Sequence, residues 1–184
     1  MVKNEIRIVG GVWKRTKLQV ANRPGLRPTP DRVRETLFNW FGQDLTGWYC
    51  VDVFAGTGAL GFEAASRGAQ DVLLVEHDAL LVDQLKATQT KLQADAVRVQ
   101  RGDGITALKR LTPASMDAVF LDPPFDSTLL EGALRAAAAA VKPAGYVYLE
   151  APSVWTAEQL EPFGLIAVRH LKAGAVHAHL LKRA

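Results

Sequence analysis

From about residue 48 to residue 150, apolar runs alternate with helical stretches, and this alternation constrains the fold more than any other feature of the chain. The runs fall at residues 49–54, 72–75, 96–99, 118–121 and 146–149. Between them, helical patterns lie near 59–67, 79–92, 104–110 and 129–141. Strands that alternate with helices build βαβ units, so the expected class is α/β, a doubly wound and mostly parallel sheet. After Pro152 a short helix near 156–161 precedes two last runs, 165–168 and 176–181. Their connection, Lys172-Ala173-Gly174-Ala175, is short enough for an antiparallel hairpin on the sheet edge.

The first thirty residues read differently. Two short strands, 6–9 and 17–20, flank Gly10-Gly11 and a basic turn. Residues 23–30 (Arg23-Pro24-Gly25-Leu26-Arg27-Pro28-Thr29-Pro30) are too proline-rich for helix or central strand. Asp31 is placed to cap a helix in which Val33, Leu37, Phe38 and Phe41 recur at helical spacing. The expected organisation is a basic β-hairpin extension over 1–30 and one domain over 31–184.

A chain of 184 residues buries enough surface to need neither metal nor disulfide. The single cysteine, Cys50, excludes an internal disulfide and a cysteine-based zinc site, and its apolar neighbours point to simple packing. The N-terminus lacks a signal peptide's apolar region, and no apolar run is long enough to span a bilayer, so a soluble, cytoplasmic protein is expected. Charge is uneven. Residues 1–35 hold nine bases against three acids, the remainder nets −3, and residues 169–183 carry four bases and no acid. Two basic ends around a neutral-to-acidic middle suit an enzyme that docks a polyanion, and equally describe a solvated basic hairpin.

Two motifs carry chemistry. The first, Asp52-Val53-Phe54-Ala55-Gly56-Thr57-Gly58-Ala59-Leu60-Gly61, ends the first core strand and opens a helix. Gly56 and Gly58 permit a sharp turn and close approach of a ligand to the backbone. Residues 56–61 fit GxGxxG with Glu76 twenty positions after Gly56, so a nicotinamide-dependent oxidoreductase is one reading. Asp52 favours another: a carboxylate sits poorly beside a pyrophosphate but suits the ammonium and sulfonium of S-adenosylmethionine. Glu76 can accept both ribose hydroxyls of either ligand. Asp103, after the third strand, is placed either to accept an adenine amine or to cap a helix. His77 and Asp78 either line an adenosine pocket or start the next helix. The second motif is Asp122-Pro123-Pro124-Phe125, directly after the fourth strand. An acid followed by a carbonyl without a ladder partner makes a two-point acceptor for an exocyclic amine, and Phe125 offers a face for a planar base.

With these two loops the chain resembles the class I S-adenosylmethionine-dependent methyltransferases directed to amino groups. More narrowly it resembles the RsmD family, bacterial methyltransferases of guanine N2 in 16S ribosomal RNA. The narrower match rests on Arg7-Ile8-Val9-Gly10-Gly11, on the segment from Arg27 through Pro28-Thr29-Pro30 to Trp40, and on the segment from Phe54 to Ala64. The family's glycine loop is usually written with Ser where Thr57 stands, and the hydroxyl is kept.

The resemblance implies a seven-stranded Rossmann-like methyltransferase sheet with an antiparallel C-terminal hairpin and a small N-terminal β-hairpin extension. It implies that the donor S-adenosylmethionine lies on Asp52, Phe54, Ala55, Gly56, Thr57 and Gly58, with Glu76, His77, Asp103 and Gly104 around its adenosine. Asp122 and Pro123 would hold the guanine amine, with the ring against Phe125. Arg7, Lys14, Arg15, Lys17, Arg27, Arg32 and Arg34 are the expected contacts to RNA. The implied partner is 16S ribosomal RNA or a small-subunit assembly intermediate, met by a monomer without metal. The acceptor loop alone also fits an adenine-N6 methyltransferase on DNA or RNA, and the basic ends alone fit a non-catalytic RNA-binding assembly factor.

Overall fold

In the computed structural model, which describes residues 5–23, 26, 28–124 and 128–184, a seven-stranded sheet carries helices on both faces. Strand β3 (Tyr49–Asp52) is central, flanked on one side by β4 (Asp71–Glu76) and β5 (Val97–Arg101), and on the other by β6 (Met116–Leu121) and β7 (Val141–Ala151). These five run parallel. Strands β8 (Leu165–Ala173) and β9 (Val176–Arg183) complete the order β5-β4-β3-β6-β7-β9-β8 as an antiparallel edge. Helices α1 (Asp31–Trp40), α2 (Ala59–Ser66) and α3 (Ala79–Leu92) cover one face. Helices α4 (Gly104–Lys109), α5 (Leu130–Ala140) and α6 (Ala157–Leu160) cover the other. The doubly wound expectation therefore holds, including the C-terminal hairpin.

Side-chain size explains the tightest contact. Every residue of α2 is buried, because Gly61 and the alanines let the helix lie directly on the sheet. A Cβ on Gly61 would fall 2.1 Å from Leu74 of β4. Close packing at this point sets the glycine loop firmly against the ends of β3 and β4.

Three local expectations change. Asp31 does not cap α1; Pro30 occupies the cap position, and the Asp31 carboxylate instead pairs with Arg34 one turn on. Strand β8 runs five residues further than its apolar pattern predicts, because pairing with β9 stabilises the polar stretch Arg169 to Lys172. The connection shrinks to Gly174-Ala175, with Gly174 in the left-handed region at φ +59°. Strand β7 likewise starts at Val141, directly after α5.

The N-terminal hairpin, β1 (Glu5–Arg7) and β2 (Lys17–Gln19), is held to the rest of the chain by buried polar bonds. Ile8 and Leu18 pack in the same apolar cluster as Leu37 and Phe38. Arg34 is fully buried, and its guanidinium donates to the carbonyls of Arg7 (2.6 Å) and Thr29 (3.0 Å) and to Glu63 of α2 (3.1 Å). Glu63 also accepts the backbone N–H groups of Val9 and Gly10 and the guanidinium of Arg67. Cys50 is buried, and burial pushes its thiol well above the ordinary range.

Arg34→Met should therefore cost about 3–5 kcal/mol, because it leaves Glu63 buried with a broken network. Replacing Lys17, half exposed in its pair with Glu5, should cost under about 1 kcal/mol. Urea denaturation of both variants checks the contrast.

Candidate active site

Strand register gathers four carboxyl groups on one face at the carboxyl edge of the sheet, with Asp52 two residues behind the other three. Asp52 pairs with Leu74 on one side and Phe120 on the other, and Phe120 pairs with Tyr148. Two residues beyond each of those partners stand Glu76, Asp122 and Glu150. Side chains two apart on a strand share a face, so Asp52, Glu76, Asp122 and Glu150 project to the same side. Ligands of open α/β sheets bind outside this edge.

Each acid is held differently. Glu76 is satisfied by backbone: its Oε2 accepts Gly56 N–H at 2.9 Å, and its Oε1 accepts His77 and Asp78 N–H at 3.1 and 3.2 Å. The carboxylate thus pins the glycine loop to the end of β4. Glu150 accepts hydroxyl protons from Thr29 and Tyr148, both at 2.7 Å. Burial, then the charge of Glu150 and a hydrogen bond to it, push the Asp122 carboxyl well above the usual carboxylate range. Burial and the neighbouring Glu150 thus favour the protonated form of Asp122. Asp52 is the exposed need of the row. It is buried, and among the described residues its Oδ1 has no hydrogen-bond partner. Burial, and next the charge of Glu76, raise its pKa from 3.8 to about 7, while the Gly61 and Phe54 backbone N–H groups oppose the shift. A cluster in this state calls for a ligand that brings positive charge or hydrogen-bond donors.

The glycine loop turns where expected, with Gly56 at φ +55° and Gly58 at φ +80°. Their surroundings differ. A Cβ on Gly58 would strike the Phe62 ring at 2.6 Å and Leu85 at 2.8 Å, so this glycine serves internal packing. Among the described residues, a Cβ on Gly56 would meet Leu26 at 3.2 Å and the Phe54 carbonyl oxygen at 4.0 Å, which leaves Gly56 the more open face of the loop. Ala55 N–H donates to the Val75 carbonyl (2.9 Å), Thr57 Oγ1 accepts Ala59 N–H (3.3 Å), and Phe54 is half-buried. Gly104 lies against β3, where a Cβ would sit 2.1 Å from the Val53 carbonyl oxygen. Asp103 takes the capping alternative: its Oδ2 accepts Thr106 N–H and Oγ1–H, bonds that lower its pKa, and its Oδ1 stays outward. Asp78 caps α3, while His77 is largely exposed beside Glu76.

Pro123 is buried at the end of β6 next to Asp122. Phe125 and Arg27 lie outside the described residues. Arg7, Lys14, Arg15, Lys17 and Arg32 are exposed. Arg34 is corrected: with no exposed surface and its donors spent inside the chain, it holds the fold and is not available to RNA. Thr29, Tyr148 and Glu150 are site residues that the sequence motifs miss. The signal for Glu150 is its place two residues after Tyr148 at the end of an apolar run, the same offset that separates Asp122 from Phe120.

The family model described as Conserved hypothetical protein 95 matches residues 6–182. A Haemophilus influenzae relative named Ribosomal RNA small subunit methyltransferase D is 39% identical over 180 residues, covering 91% of this chain and 93% of the relative. The chain is an RsmD-family methyltransferase. The solved structure titled putative methyltransferase yhhF from Escherichia coli matches this methyltransferase at a TM-score of 0.82 and 38% identity, over 97% of this chain and 98% of that one. The structure of putative methylase HI0767 from Haemophilus influenzae matches at a TM-score of 0.79 and 32% identity, again over 97% of this chain and 98% of that one. Membership of the family brings the need for a methyl donor, and the unpartnered oxygen of Asp52 beside the open face of Gly56 fits a cationic one. Among the described residues no group of acidic, histidine or cysteine side chains is placed to hold a metal ion, and no helix is long and apolar enough to cross a membrane.

Because the Asp52 pKa is raised in the folded methyltransferase, the folded state binds the extra proton, and stability falls as pH rises from about 4 to about 7. Asp52→Asn removes that penalty. The variant should gain up to about 4 kcal/mol over wild type near pH 8, and the gain should vanish near pH 4. Urea denaturation at the two pH values checks the sign; no gain at the higher pH would contradict it.

Proposed function

We propose that this methyltransferase transfers a methyl group from S-adenosylmethionine to the exocyclic N2 amine of a guanine in small-subunit ribosomal RNA. One observation carries the proposal: Asp122 and Pro123 end β6 beside Asp52, with Glu150 behind Asp122 in the same row. The names of the relatives, Ribosomal RNA small subunit methyltransferase D, support the RNA substrate.

Asp52, Glu76 and the backbone of Gly56 would hold the donor, with Asp103 Oδ1 facing its adenine. Bound there, the donor supplies an electrophilic methyl group. The chain's own residues act on the amine. An exocyclic amine of guanine is a poor nucleophile, because its lone pair is delocalised into the ring. An oxygen of Asp122 and the Pro123 carbonyl would accept hydrogen bonds from its two N–H groups, turning the lone pair out of the ring plane and stabilising the positive charge that develops on nitrogen until one N–H proton passes to solvent. Thr29 and Tyr148 fix Glu150, Glu150 fixes Asp122, and so the acceptor oxygen is held before the base arrives. Positioning of this kind lowers a barrier without any covalent step on the protein. The target base must leave its stack to reach the row, which costs least in a loop or unpaired segment. The exposed bases Arg7, Lys14, Arg15, Lys17 and Arg32 would meet phosphates of the same RNA.

Incubation with undermethylated small-subunit ribosomal RNA and donor, followed by mass spectrometry of the nucleosides, should give N2-methylguanosine. N6-methyladenosine, or no methylated nucleoside, would overturn the assignment. Asp122→Ala should lose about 100-fold or more in turnover with little change in donor affinity. Asp122→Asn keeps a carbonyl acceptor and should retain clearly more.

A further inference from the structure

The C-terminal hairpin flanks β7, the strand next to β6, from which the acceptor loop leaves. Ala151 of β7 pairs with His177 of β9, and His177 pairs with Lys172 of β8. His177 and Lys172 are thus level with Ala151, the residue after Glu150, one and two strand spacings from β7, about 5 and 10 Å. Alternation places His170, Lys172, His177 and His179 on one face of the hairpin, since His170 pairs with His179 and Lys172 with His177. Glu150 pairs with Ala178 and projects from the opposite face, so the acidic row does not meet these imidazoles.

The three histidines have two kinds of environment. His179 is buried and committed: its Nε2 accepts Trp155 N–H (3.1 Å), and its Nδ1 is left to donate to the Leu149 carbonyl (3.3 Å). It ties the segment after Glu150 to the sheet. His170 and His177 are stacked, ring centroids 5.1 Å apart and planes 18° apart, with His170 Nε2 and His177 Nδ1 sharing a hydrogen bond at 2.9 Å. Among the described residues, His170 Nδ1 and His177 Nε2 have no partner, and Lys172 lies opposite His177. Such a pair can hold one extra proton between its rings and present N–H donors outward.

We propose that His170, His177 and Lys172 form a dock for a phosphate of the RNA strand leading to the acceptor loop, and that the imidazole pair takes up a proton when the phosphate arrives. The dock rests on the RNA-methylating function proposed above. Partial burial, then His170 and Lys172, hold the His177 pKa below its ordinary value in the free chain. No carboxylate on the neighbouring elements sets that shift, neither Glu150 of β7, Glu158 of α6 nor Glu161 of the turn that follows. Like charges directly opposite on paired strands are destabilising. A lowered pKa favours the neutral form of His177 opposite Lys172 in the free chain, and a bound phosphate supplies the negative charge that makes protonation of the pair favourable.

The test is the affinity of the full chain for a small-subunit ribosomal RNA fragment between pH 8 and pH 6. Wild-type affinity should rise roughly tenfold or more over that interval, up to about the hundredfold that uptake of one whole proton across two pH units would give. His170→Gln/His177→Gln should lose most of the rise and leave donor affinity unchanged. Calorimetry of wild type in two buffers of different ionisation enthalpy reads the proton directly, without a variant, and should show uptake near pH 7. Zero uptake, or an unchanged pH dependence in the double variant, overturns the dock while leaving methyl transfer standing. Failure of the wild type to bind RNA at any pH overturns both.

Discussion

Four carboxyl groups gathered on one face of neighbouring parallel strands repel one another and resist burial; the rest of the site answers that constraint. Parallel register brings Asp52, Glu76, Asp122 and Glu150 to the same edge and the same face. Backbone N–H groups satisfy Glu76, hydroxyls of Thr29 and Tyr148 satisfy Glu150, and burial beside Glu150 pushes the Asp122 carboxyl well above the usual carboxylate range. Among the described residues, Asp52 alone is left with a buried, unpartnered side-chain oxygen. An uncompensated acid in a buried row is costly for folding, and the same cost becomes binding energy for a cation.

The N-terminal segment belongs to this arrangement as much as the sheet does. Thr29 reaches Glu150, and Arg34, four residues after Pro30, clamps the Thr29 and Arg7 carbonyls to Glu63 of α2. The buried arginine thereby links the basic hairpin, the proline-rich segment and the helix that carries the glycine loop. A change at the hairpin can reach the acceptor carboxyl through four hydrogen bonds, from Arg34 to the Arg7 and Thr29 carbonyls, from the Thr29 hydroxyl to Glu150, and between Glu150 and Asp122. This chain of contacts explains why residues far from the two motifs in sequence complete the site.

The sheet and the two loops were legible because their signals are local. Alternating runs give the βαβ order, and Gly56 with Asp122-Pro123 mark strand ends where a turn and a carbonyl are needed. Arg34 was not legible as a core residue, since a charge in a basic segment reads as surface until Glu63 and two carbonyls converge on it. Glu150 lacked a motif of its own, and its role depends on register with Asp122, which only the folded sheet supplies. Gly58 and Gly104 looked like ligand glycines, yet a Cβ at either would collide with the protein itself. The strand over 169–172 was hidden by its polar composition, because edge strands need less apolar surface than central ones.

The claim that the row awaits a positive ligand is tested most directly by the protons that move when the donor binds. With the Asp52 pKa near 7, the carboxyl is partly protonated in the free chain at neutral pH, and a cation placed beside it drives the proton off. Calorimetry of S-adenosylmethionine binding near pH 7, in buffers of different ionisation enthalpy, should show release of up to about one proton, absent in Asp52→Asn. Binding without release, or with proton uptake, would contradict the account.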